Sequence, residues 1–441
     1  MNFPRLITVV SLSTLLLGSL FSADETGSAI FIHPDGMGLG HWNAARLLEV
    51  GPDGMLNWDT LEQLAAYRVH QKNWLSTTSH AGATAHAYGK KVHHNSYGMD
   101  QDKPLTALSG KPLSIMQEAM ASGIRVGVVN SGHIGEPGTG VFLASTDNRY
   151  DFRPLARKIM ESGADLIFCA GEIYLIPVGT IGKHGREGTR EDGRNLLEEA
   201  EGRGYTVIFT REELFALDPK TEKVIGIFAA ENTYNDKKEN VLKKAGLETY
   251  DPEAPTFAEM TTVALKILGS DPQRQFFLVA EEEGTDNFSN NTNAKGMLDA
   301  AIRADKAIGA VVDFMNTQAD RKTLLIVGAD SDAGSPSIWA PRGKGEDYQL
   351  PKKTNSGAEL DGPEGTGGTP FFSKPDQFGN AYPFGISWAN ANDYQGSAIT
   401  RAHGFNSQLL GTNIDNSGIY RIFYEVLFGV TPEIAASKLQ E

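Results

Sequence analysis

Seven short apolar runs rich in Val, Ile and Phe punctuate the chain, at residues 29–33, 126–130, 166–170, 207–210, 225–229, 276–280 and 324–328. Continuous apolar runs of this length read as strands buried on both faces. Amphipathic helical patterns lie between them, at residues 113–122, 152–162, 194–202, 257–268 and 294–317. The alternation predicts an α/β fold: a three-layer sandwich with a mostly parallel central sheet and helices on both faces. Ligands of such sheets bind at the carboxyl ends of the strands, so residues that follow a strand carry the interest. One segment, 341–384, breaks the pattern with Gly, Pro, Lys, Asp and Asn. It reads as a long irregular insertion in the domain 24–441, because a strand-like run (384–389) and an apolar helix (417–428) resume after it. No internal repeat is visible.

The first residues read as an address. Arg5 precedes an uncharged apolar stretch from Leu6 to Leu20, and Ser22 and Ala23 come before the acidic Asp24 and Glu25. This is the pattern of a secretory signal peptide over residues 1–23, and it is short for a membrane span. The expectation is a periplasmic or secreted protein with no span in the mature chain. The single cysteine, Cys169, lies inside an apolar run and reads as a small buried strand residue. A net charge of −15 argues against a nucleic-acid binder, which needs a basic face. It leaves room for a small phosphorylated substrate, since a few local cations can capture one phosphate in an acidic protein.

Candidate chemistry follows four of the elements. Asp35 stands in His33-Pro34-Asp35-Gly36-Met37-Gly38, directly after the first strand, although Asp-Gly is also a common turn pair. Ser79 lies in a run of small residues from Thr77 to Gly89, at the start of a helix-compatible stretch. Helix N-termini favour anions, but a serine there is ordinarily an N-cap. His80 is adjacent to it, and sequence neighbours point apart, so His80 is not assigned as its base. The strand at 276–280 runs into Glu281, Glu282, Glu283 and Asp286, and the strand at 324–328 runs into Asp330 and Asp332. Carboxylates packed at strand ends are costly without a compensating cation. Oxygen-rich clusters suit Mg²⁺, Ca²⁺ or Mn²⁺, and such ions could activate Ser79 for phosphoryl transfer.

At this point the sequence resembles the alkaline phosphatase family. Asp35-Gly36-Met37-Gly38 is similar to the family's opening metal motif, and residues 77–100 to its nucleophile segment, including Ala83-Thr84-Ala85, Gly89, Lys91 and Gly98-Met99-Asp100. The resemblance places the nucleophilic serine on Ser79, the magnesium-binding glutamate on Glu281, zinc-binding aspartates on Asp286 and Asp330, and the phosphate-gripping arginine on Arg149. It implies homodimerisation, which is usual in the family. The departures are specific. The family's three zinc histidines fall on Asn290, on Ser331 and in the segment Tyr394-Gln395-Gly396, and His403 lies at the wrong spacing to substitute. The aspartate before the nucleophile is Thr78, and the Ser or Thr magnesium ligand before a proline is Glu136.

Imidazoles are lost while carboxylates stay. Zinc prefers N and S donors, whereas Mg²⁺ and Ca²⁺ accept oxygen shells, so the expected site is rebuilt with oxygen ligands, with Asn290 and Ser331 as weak ones. The leading expectation is metal-dependent hydrolysis of phosphate monoesters through a phosphoserine. The alternatives are a phosphodiesterase of the same superfamily, or a degenerate member that binds an anion or a partner without catalysis.

Overall fold

The computed structural model describes residues 25–342 and 347–439; the export signal read at residues 1–23 lies outside them. The seven expected strands all form and lie side by side. They are β1 (Ser28–Pro34), β3 (Arg125–His133), β4 (Leu166–Ala170), β5 (Thr206–Ile208), β6 (Val224–Ile227), β7 (Phe276–Glu282) and β8 (Thr323–Gly328). Three more strands complete one side of the sheet: β2 (Gln63–Arg68), β9 (Ile399–Gly404) and β10 (Asn413–Asp415). The order is β10-β2-β9-β8-β1-β7-β3-β4-β6-β5. Pairing from β8 to β5 is parallel throughout, and β9 alone runs against its neighbours.

The strand side chains alternate between two cores. In β1, Ala29 and Phe31 join the core on one face, and Ile30 and Ile32 the core on the other. Five helices cover the first face or its rim: α2 (Ser79–Tyr88), α3 (Ile115–Ala121), α4 (Phe152–Met160), α5 (Leu196–Gly202) and α9 (Asn416–Phe428). The other face carries α1 (Leu39–Glu49), α6 (Phe257–Leu268), α8 (Ala294–Thr317) and, through Phe288, the short α7 (Gly284–Asn290). Helix α6 begins as its sequence dictates: Thr256 caps the Glu259 amide and Glu259 reaches back in a capping box. Three layers result, as the periodicity predicts.

The strands missed in the sequence have a common reason. In β2 and β9, buried residues alternate with partly or fully exposed ones, and Arg68, Arg401 and His403 dilute the apolar signal. The segment 341–384 is mainly loop. Its short strands, together with Ser337–Trp339 and Pro383–Ser387, make a small antiparallel sheet beside α1. No helix among the described residues is long and apolar enough to cross a membrane.

Candidate metal centre and active site

The strand order fixes where the acids meet. The adjacent strands β8, β1, β7 and β3 end beside one another, and each delivers polar residues at its carboxyl end. The β1–β7 register sets His33 opposite Glu281, and the β7–β3 register sets Asn130 opposite the same glutamate. Accordingly His33 Nδ1 lies 3.1 Å from Glu281 Oε1, and Asn130 Nδ2 donates to Glu281 Oε2. Beyond β1 the chain turns through Gly36, whose φ of 63° favours glycine. The Gly36 amide donates to Asp330 Oδ1 at 3.3 Å. Thr285 donates to the Asp35 carbonyl at 2.6 Å, which locks the turn.

Asp35, Glu281, Asp330 and Ser331 are fully buried at the floor of the site. Ligand atoms of His33, Asp35 and Asp330 lie within 4.8 Å of one another, as do those of Asp35, Glu281 and Glu283. Both Asp35 oxygens, Asp330 Oδ2, Glu283 Oε2 and Ser331 Oγ are buried without a hydrogen-bond partner. Buried polar atoms are nearly always paired, so this concentration of orphaned oxygens fits divalent cations. Burial first, and mutual repulsion second, push Asp35, Glu281, Glu283, Asp286 and Asp330 well above ordinary carboxyl values. Cations would reverse that shift.

Above the floor is a pocket of about 450 Å³ lined by Ser79, Glu136, Arg149, Asp286 and Asn290 among others. Ser79 is the first residue of α2, and Thr78 is the N-cap. The Thr78 hydroxyl does not cap the helix; it donates to the His94 carbonyl. Ser79 is therefore free of the capping role its position suggested. Gly82, one turn on, brings the helix against the floor: a Cβ there would stand 2.5 Å from the Asp330 Cβ.

Glu136 pairs with His133 Nε2 at 2.9 Å. Against a burial penalty of opposite sign, His133 and Arg149 hold it below its ordinary value. Arg149 donates to His80 Nδ1. Burial, then the Arg149 charge, press the His80 pKa down to about 2, so this ring is a neutral acceptor. Behind the floor Arg303 grips Glu282 through Nε and Nη2 at 3.2 and 3.1 Å, and Ser131 donates to the same carboxylate at 3.1 Å.

The nine residues assigned to the site from the sequence lie at one end of the sheet, in two tiers, whereas His403 pairs with Leu325 away from that end. Ser79, Arg149, Glu136, Asp286 and Asn290 line the pocket, and Asp35, Glu281, Asp330 and Ser331 lie beneath it. The sequence reading did not assign His33, Asn130, His133, Glu283 or Asp393. His33 had a signal, since it stands two residues before Asp35 at a strand end, and it adds an imidazole to a cluster expected to be all oxygen. Asp393 had only a neighbouring signal: it stands one residue before Tyr394-Gln395-Gly396, the segment the resemblance matched to a zinc histidine.

The chain is similar to known proteins over most of its length. The alkaline phosphatase family profile matches residues 28–359. An alkaline phosphatase of Gadus morhua is 27% identical over 347 residues, 70% of each chain. Alkaline phosphatase H of Pseudomonas aeruginosa (strain UCBPP-PA14) is 25% identical, over 79% of this chain and 78% of its own. Among solved structures, alkaline phosphatase from Thermus thermophilus superposes with a TM-score of 0.70 at 17% identity, covering 97% of this chain and 99% of its own. That from the Antarctic bacterium TAB5 gives 0.68 at 19% identity, covering 91% and 98%, and a solved variant of it has magnesium bound. The family profile spans most of the chain and the fold is shared nearly end to end, so this protein belongs to the alkaline phosphatase family.

Proposed function

We propose that the protein is a metal-dependent phosphohydrolase that cleaves small phosphate monoesters through a phosphoserine at Ser79. The observation that carries this reading is the shared pocket: a serine at a helix N-terminus opens onto the same cavity as Arg149, directly above a floor of unpaired carboxylates. Divalent cations held by Asp35, Asp330 and Ser331, by Asp286 and Asn290, and by Glu281 with Glu136 would supply Lewis-acid activation of the nucleophile and stabilise charge on the leaving oxygen.

The chain's own groups do the rest. Arg149, held from behind by His80, presents its remaining N–H groups to two phosphate oxygens. The α2 N-terminus adds backbone N–H donors for the same anion. Ser79 Oγ loses its proton to solvent and attacks phosphorus as the ester oxygen departs and takes up a proton from water. Water then attacks the phosphoserine, freeing inorganic phosphate and restoring the hydroxyl. His80 takes no part as a base: its Nδ1 is committed to Arg149, and its Nε2 lies 3.4 Å from Thr78 Oγ1.

The magnesium in the TAB5 variant and the oxygen-rich ligand set support a hard cation in part of the site. The apolar stretch before residue 24 supports export to the periplasm or medium. The test is hydrolysis of p-nitrophenyl phosphate and its bis-ester by metal-stripped protein with Mg²⁺, Ca²⁺, Mn²⁺ or Zn²⁺ restored, for wild type and Ser79→Ala. Monoester turnover revived by a hard cation and lost in Ser79→Ala is expected. Preference for the bis-ester would make the protein a phosphodiesterase. Silence with every metal would make it a binding protein.

A further inference from the structure

We propose that Trp74 and Tyr150 form an aromatic rim that binds the leaving group, so that the preferred substrates are monoesters carrying a planar aromatic ring, as in an aryl phosphate or a nucleoside monophosphate. The inference rests on the phosphohydrolase reading above and names its substrate class.

Both rings line the pocket that holds Ser79 and Arg149. Trp74 is 52% exposed and Tyr150 73%, which puts them at its mouth. Large aromatic side chains are ordinarily buried over most of their surface. The other four tryptophans follow that rule: Trp42, Trp58 and Trp388 are buried and Trp339 is half-buried. At about 450 Å³ the pocket matches sites that enclose a whole small molecule. It has room for a leaving group as well as for phosphate.

Each ring is tied to the reacting groups. The Trp74 carbonyl accepts from the Gln71 amide at 2.8 Å. Its neighbour Asn73 donates to His94 Nδ1 at 2.9 Å and accepts from the His94 amide at 3.0 Å. The indole meets the His94 ring edge to face, with centroids 4.9 Å apart and planes at 81°. The His94 carbonyl in turn accepts from Thr78, the N-cap of α2, so the indole is fixed relative to the helix that presents Ser79. Tyr150 follows Arg149, whose guanidinium lies 5.1 Å from the phenol ring centroid, and its amide donates to Asn148 Oδ1 at 3.2 Å. A ring held still in water gains little from burial. Held still beside a ligand, it gains stacking at a low entropy cost. A planar partner uses the whole face of such a ring, which a flexible alkyl or polyol leaving group does not.

The experiment measures kcat/KM of the metal-loaded protein on phenyl phosphate, adenosine monophosphate, glycerol phosphate and decyl phosphate, for wild type, Trp74→Ala, Trp74→Phe and Tyr150→Ala. Near-ultraviolet circular dichroism checks folding, and Tyr150→Ala carries the test if the Trp74 variants do not fold. Trp74→Ala is expected to lose about tenfold more on the aromatic esters than on glycerol phosphate, the scale of one ring-stacking contact, with Trp74→Phe between. A selective loss on adenosine monophosphate alone would assign a nucleobase and one on phenyl phosphate alone an aryl group; either upholds the rim. Equal losses on all four substrates, no loss, or a loss greatest on decyl phosphate would overturn it while leaving Ser79-dependent turnover standing. Binding is read separately in Ser79→Ala protein, where adenosine monophosphate should quench tryptophan fluorescence and added Trp74→Phe should remove most of the quenching. Such Trp74-dependent quenching in a protein that hydrolyses no ester with any metal would overturn the hydrolytic reading and uphold the aromatic site.

Discussion

The guanidinium of Arg149 donates to Nδ1 of His80, the residue that follows Ser79 in the chain. The contact ties Arg149, the proposed phosphate-binding arginine, to the helix that presents Ser79. Replacing His80 with Leu removes the acceptor. KM for p-nitrophenyl phosphate and the inhibition constant of phosphate should both rise about tenfold, with a smaller change in kcat, since an uncompensated loss of one charged hydrogen bond is worth roughly 1.5–3 kcal/mol. Because burial and Arg149 press the His80 pKa to about 2, wild-type KM should show no inflection near pH 6.5 from this ring. Steady-state kinetics between pH 5 and 9 check both statements.

The metal-free protein should lose stability as pH rises. Asp35, Glu281, Asp286 and Asp330 are raised by burial and by one another. The unfolded chain releases these protons from about pH 4 upward, while the fold retains them. Stability contributed by the protonated acids is therefore full below that pH and is lost as pH climbs through the raised native values. Bound cations replace the protons, so the gap in melting temperature between EDTA-treated and Mn²⁺-loaded protein should widen from pH 5 to pH 9. A constant gap would count against a carboxylate floor that binds metal.

Gly82→Ala should damage the site although alanine is the better helix former. The substitution gains about 1 kcal/mol of helix propensity. The new Cβ, however, would meet the Asp330 Cβ at 2.5 Å and press the helix off the floor. Overpacking of this kind costs typically 1–3 kcal/mol. Activity should fall more than stability, because Ser79 moves with the helix; denaturation midpoints and kcat/KM together measure the difference.

Arg303→Met should destabilise the fold by about 3–5 kcal/mol, because it leaves the buried Glu282 charge without its partner. Glu282→Gln combined with Arg303→Met should recover much of the loss. Urea denaturation of the two variants distinguishes a structural pair from one that is dispensable.

The sequence by itself determined the layers and the list of acids. Strands buried on both faces must be apolar throughout, so β1, β3 to β8 and five of the helices, α3, α4, α5, α6 and α8, announce themselves, and polar residues just past the strand ends are conspicuous by contrast. Asp35, Glu281, Asp286 and Asp330 were legible for that reason. Strands β2 and β9 were not, because a strand with one face partly open to solvent needs no continuous apolar run. Tertiary structure alone decided how the acids meet. The parallel register sets His33 and Asn130 on either side of Glu281, and folding brings Asp393 to Asn290 across 103 residues of chain. Periodicity records what a residue is buried against on its own element. Which distant side chain arrives opposite it depends on strand order and on where loops are pinned, and neither leaves a local mark.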